Sequence, residues 1–130
     1  MFARKNLLLI VLALGLVSVL ANTEGFKVEK LNEGTGPNPT KGQTVKVHYT
    51  GKLTDGSVFD SSVTRGQPFQ FKLGVGQVIS CWDQGVAQLQ KGQEAVLTCP
   101  YQMAYGERGH PPVIPARATL IFEVQLLDFY

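Results

Sequence analysis

Val45-Lys46-Val47-His48-Tyr49-Thr50 decides how this chain is read. Its apolar residues recur at every second position, so Val45, Val47 and Tyr49 share one face of a strand while Lys46, His48 and Thr50 share the other. A sheet with one buried and one wet face follows. Asp55-Gly56 comes next as a tight hairpin turn, because glycine takes the positive φ that primed turns need. Outward from there the alternation returns in Phe69, Phe71 and Leu73, in Ala95, Leu97 and Cys99, and in Leu120, Phe122, Val124 and Leu126, with a weaker echo in Phe26–Leu31. Between them, Trp82, Val86 and Leu89 lie at helical spacing and predict one helix over Ser80–Leu89, with Ser80 as N-cap and Gly92 as the stop. The fold class expected is α+β: an antiparallel sheet of about five strands packed on one short helix.

The first residues stand apart. Arg4 and Lys5 precede an apolar run from Leu7 to Leu20, and Ala21 supplies the small residue a signal peptidase needs. That run is shorter than the roughly 20 residues of a spanning helix. The expectation is a signal peptide over residues 1–21 and a domain over residues 22–130. Without Arg4 and Lys5 the 12 cations fall to ten, matching the 10 anions. A neutral domain without a basic cluster suits neither nucleic acid nor an anionic membrane, since both are held through Lys and Arg.

Pro100–Arg117 holds four of the seven prolines together with Tyr101, Met103, Tyr105, Val113 and Ile114. A loop of that length and apolarity reads as functional, not disordered. One short helix leaves part of the sheet uncovered, and Tyr49, Phe59, Phe69, Trp82, Tyr105 and Phe122 gather where that concavity forms, the default binding site of a small domain. Any one of them taken alone reads better as core. Cys81 and Cys99 form either one disulfide or two buried thiols, and with His48 and His110 they lack the close pairing of a zinc site, so no metal or other cofactor is expected. His48, on the wet face, is expected at the surface.

The runs Val47-His48-Tyr49-Thr50-Gly51, Phe59-Asp60-Ser61-Ser62, Pro68-Phe69-Gln70-Phe71, Val78-Ile79 before Trp82, Ala104-Tyr105-Gly106, Gly109-His110-Pro111 and Ile114-Pro115 resemble the FKBP family of peptidyl-prolyl cis-trans isomerases, which bind the macrolides tacrolimus and rapamycin. The resemblance spans about Phe26 to Tyr130. It implies a half-open twisted sheet wrapped around the helix, with a monomeric enzyme's active site between them. It makes Trp82 the pocket floor and Tyr49, Phe59 and Phe122 aromatic walls, with Phe69, Val78, Ile79, His110, Val113 and Ile114 around the rim. It gives Tyr105 a hydroxyl to donate to a ligand carbonyl. The Ile79 N–H and Gln77 C=O would bond the peptide or macrolide, and Asp60, partnered by Arg65 and Tyr49, would be the polar group nearest the reacting amide. Cys81 replaces a more usual glycine and Cys99 a branched aliphatic residue, a pair consistent with a disulfide from helix to strand. Gln77 stands where some members carry glutamate.

The implied chemistry needs no nucleophile. Rotation about an X-Pro bond faces a barrier of ~18 to 20 kcal/mol from amide resonance and takes tens to hundreds of seconds unaided. A dry aromatic pocket solvates the polar planar amide poorly and so favours the twisted form. A 10⁴-fold acceleration asks for only ~5.5 kcal/mol. The competing readings are a hydrolase built on Cys81 or Ser61 with His110 and Asp60, around which no nucleophile signature is found, and a non-catalytic peptide-binding module using the same pocket. A secretory route leaves the lumen of the pathway, export or a bacterial periplasm as destinations, with proline-containing polypeptides as partners.

Overall fold

The computed structural model describes residues 25–130, so the expected signal peptide lies outside the described residues. The chain runs as β1 (Lys27–Lys30), β2 (Thr44–Leu53), β3 (Val58–Ser61), α1 (Ser62–Arg65), β4 (Phe69–Lys72), α2 (Ser80–Gly85), β5 (Glu94–Cys99) and β6 (Leu120–Phe129). Single 3₁₀ turns follow α2 at Val86–Gln88 and β5 at Tyr101–Met103. All six strands join one antiparallel sheet in the order β1-β5-β6-β2-β3, with β4 also on β2.

β2 is the hub. One edge pairs with β6 along nearly its whole length, from Val45↔Phe129 to Leu53↔Leu120. The other edge is shared: β4 takes Thr44–Val47 and β3 takes Thr50–Lys52. Register shifts at Lys46/Val47 and Gly51/Lys52 interrupt these ladders, and such bulges sharpen the right-handed twist that lets a sheet wrap a helix. The expected alternation is realised: Val45, Val47, Tyr49, Ala95, Leu97, Leu120, Phe122, Val124 and Leu126 are buried on the inner face with Trp82, Val86 and Leu89 of the helical segment. Gly85 lets that segment close on the sheet, because a Cβ there would sit 3.0 Å from a Leu97 methyl.

Three expectations change. The helix ends at Gly85 and tightens into 3₁₀, since Leu89 leaves in extended conformation at φ −98°, ψ 156°. Its cap is Ile79, extended and without a side-chain bond, so Ser80 is the first helical residue and not the cap. The sheet has six strands because Val58–Ser61, too short to alternate visibly, pairs with β2. The following turn of helix, α1, also goes unpredicted although its signals stand in the sequence: Ser61 Oγ accepts from Thr64 N–H and Gly66 takes the left-handed exit at φ +72°.

Cys81 and Cys99 are joined, with Cα atoms 5.6 Å apart. Of the two readings left open, the disulfide is the one the structure holds, and it fastens the first turn of α2 to the end of β5. The long loop Pro100–Arg117 is internally braced: His110 and Ile114 exchange backbone bonds at 2.8 and 2.9 Å, and Arg117 N–H reaches Gly106 C=O at 3.1 Å. Met103 and Ile114 anchor it in the core.

Candidate functional site

Between α2 and the inner face of the sheet lies a cleft of about 190 Å³. Trp82 is its floor, only 4% exposed. Its indole meets Tyr49 edge-on at 4.8 Å and 77°, and Phe122 at 5.2 Å and 82°. Phe69 adds a third edge contact at 5.9 Å, and Phe59 packs on Phe122 at 5.7 Å and 81°. Edge-to-face pairs of this kind each add about 0.5–1.5 kcal/mol beyond burial, so the walls hold one another in place. The buried indole N–H has no hydrogen-bond partner among the described residues.

Gly51 makes the arrangement fit, a residue singled out in the sequence only as part of a motif. A Cβ there would lie 2.6 Å from the Phe59 ring and 2.8 Å from that of Phe122. A glycine inside a strand is the signal that could have found it, since it marks a close approach.

The polar side of the cleft begins with Asp60 at the end of the β2–β3 hairpin. Tyr49 Oη donates to its Oδ2 at 2.5 Å, Arg65 pairs with its Oδ1, and Arg65 Nη2 also reaches Tyr49 Oη at 3.2 Å. α1 provides this geometry: one turn of helix carries Arg65 back over Asp60. Burial alone would raise the carboxyl's pKa, but the Tyr49 hydroxyl and the Arg65 guanidinium outweigh it and hold Asp60 below the ordinary 3.8. Burial, then the bond to Asp60, pushes Tyr49 up. Asp60 is thus an ionised carboxylate with both oxygens engaged, a fixed charge and no free base. Tyr105 is 42% exposed and its pKa is raised by burial and by the charge of Asp60, so its hydroxyl stays protonated and available to donate.

Gln77, Val78 and Ile79 complete the lining from the segment before α2. The structure therefore brings together ten of the fourteen side chains expected at the site, and Arg65 joins them through Asp60. His110, Val113 and Ile114 do not line the cleft. His110 lies 5.6 Å from the Tyr105 ring, Val113 is exposed, and Ile114 is buried in the core. His48 is not a free surface residue: its Nδ1 lies 2.8 Å from the Oγ of fully buried Ser62, which also accepts from Tyr49 N–H at 2.7 Å. The hydrolase reading loses Cys81 to the disulfide, and the Ser61 hydroxyl bonds to Thr50 and Thr64. A shallower trough of about 230 Å³ on the outer face, where His48, Glu94 and Glu123 stand, has no comparable ring of aromatics.

Residues 36–127 match the family described as FKBP-type peptidyl-prolyl cis-trans isomerase. The chain belongs to that family. It is 59% identical over 104 residues to FK506-binding protein 1 of Rhizopus delemar, covering 79% of this chain and 96% of that one. Against FK506-binding protein 1A of Aspergillus fumigatus the identity is 55% over 104 residues, with 79% and 93% covered. Peptidyl-prolyl cis-trans isomerase Fkbp12 of Drosophila melanogaster is 54% identical over 104 residues, with 79% and 96% covered. As an FKBP-type domain this protein is a peptidyl-prolyl isomerase.

Proposed function

We propose that this FKBP-type isomerase is a monomer that works in the secretory pathway, in the lumen or after export, on X-Pro bonds of folding polypeptides, and that tacrolimus and rapamycin occupy the same cleft. Residues 1–21 are its signal peptide and residues 22–130 its working domain. The observation that carries the isomerase reading is the cleft itself: Tyr49, Phe59, Trp82 and Phe122 wall a cleft bordered by a carboxylate with a partner on each oxygen.

The proline ring rests on Trp82, and the amide before it turns within the aromatic walls. There the planar form finds little to solvate its charge separation, and the twisted form has less charge to solvate. Tyr105 Oη donates to a carbonyl of the chain. The Ile79 N–H, which makes no hydrogen bond with another described residue, and the Gln77 C=O hold the flanking backbone. Asp60 keeps Tyr49 upright and sets the sign of the field along one wall; the His110 ring, 5.6 Å from that of Tyr105, packs beside it. The disulfide supports the secretory assignment, because structural disulfides persist in oxidising compartments.

A protease-coupled or NMR exchange assay of a leucyl-prolyl peptide tests the activity. The purified protein is expected to speed exchange and to lose that effect with rapamycin. Exchange at the solvent rate despite macrolide binding would leave a non-catalytic peptide receptor. For the location, the secreted or lumenal protein is expected to begin at Asn22 and to show no free thiol by mass measurement; an intact Met1 terminus or two free thiols rejects it.

A further inference from the structure

The segment that joins β4 to α2 gives the cleft Gln77, Val78 and Ile79 but belongs to neither strand nor helix. It includes Gly74 and Gly76 at φ +79° and +81°, the residue type that fixes its own backbone least. Its shape must be imposed from outside, and one side chain does most of it. Asp83, in the first turn of α2, accepts from Gly74 N–H through Oδ1 at 2.8 Å and from Gly76 N–H through Oδ2 at 3.0 Å. Its own N–H donates to Ile79 C=O at 3.2 Å. That last bond is a main-chain bond of the helix, so the hold peculiar to the Asp83 side chain is on Gly74 and Gly76, immediately before Gln77. Gln77 is pinned separately, its Oε1 accepting from Lys72 N–H at 2.9 Å.

We infer that Asp83 is the positioning residue of this binding segment and sets the affinity of the cleft, not its turnover. Asp83 does not line the cleft, and it follows directly on Trp82, so the residue after the floor is the one bonded to the segment that carries the rim. Two carboxylate oxygens, one on each N–H, fix two otherwise permissive glycines. The flanking peptide that Gln77 and Ile79 hold is gripped alike in the planar and twisted states. Loosening the grip then raises KM and leaves kcat. An acidic residue in a first helical turn also complements the helix dipole, and that role alone would alter stability only.

The inference rests on the proposed use of the cleft, and its test separates the two. Asp83→Asn keeps one acceptor and turns the other toward an N–H as a donor. In the purified protein its KM for a leucyl-prolyl peptide and its Kd for rapamycin are expected to rise about tenfold, with kcat within about twofold. Asp83→Glu, which keeps the carboxylate, is expected to recover most of both losses. Unchanged KM and Kd overturn the inference, whether or not the melting temperature falls, and so does a drop in kcat alone. A parent protein that binds rapamycin without isomerising fails the proposed activity, and the inference then stands or falls on Kd.

Discussion

The floor of the cleft and its rim are built on opposite principles. Tyr49, Trp82 and Phe122 are side chains of regular elements, buried and in mutual edge contact, so each is held by the same packing that stabilises the fold. Tyr105 and the Gln77–Ile79 segment sit on irregular backbone held by a handful of hydrogen bonds. Substitution in the floor costs stability and activity together. Substitution at the rim alters binding and spares the fold.

The largest effect that tests this contrast is Trp82→Ala. Emptying the floor is expected to cost about 3–5 kcal/mol in denaturant unfolding; a loss of activity without loss of stability would break the comparison. Gly51→Ala comes second. Its Cβ would meet the Phe59 and Phe122 rings, and kcat/KM is expected to fall about tenfold as those walls move, equivalent to about 1.4 kcal/mol. Unchanged kcat/KM would mean that wall position is unimportant. Third is Tyr105→Phe, which removes only the donor and is expected to lower kcat/KM about fivefold, the worth of one hydrogen bond of about 1 kcal/mol, with the melting temperature unmoved. A falling melting temperature would move Tyr105 into the structural class.

The smallest effect concerns Asp60. Its folded pKa lies below the ordinary 3.8, so its ionised pairing stabilises the fold above that value and the benefit fades as pH falls through the folded pKa. The parent is expected to outlast Asp60→Asn at neutral pH by a small margin, since the carboxylate is partly exposed, and to lose that margin in acid. An advantage that grew on acidification would reverse the sign.

The inner face of the sheet was legible because burial on one side forces a period of two, and β2, β5 and β6 are long enough to show it. Trp82, Val86 and Leu89 likewise revealed the helical segment. What escaped was short or set by tertiary contact. β3 and α1 have four residues each, too few for a period, and only Ser61 and Gly66 as punctuation mark the second. The early end of α2 depends on where Leu89 must enter the core. The residues of the cleft were legible mainly through family likeness, since periodicity alone could not distinguish an aromatic wall from a core. Neither the bond from His48 to Ser62 nor that from Asp83 to the two glycines has a sequence signature: each joins partners whose meeting depends on the folded backbone.

β2 carries a further implication. Tyr49 and Gly51 lie on a strand that is hydrogen-bonded to three others, and Gly51 is paired on both flanks, with Phe122 and with Asp60. The strand that carries one wall of the cleft is thus tied to three neighbours, whereas residues 77–79 and Tyr105 reach the same cleft from outside every strand.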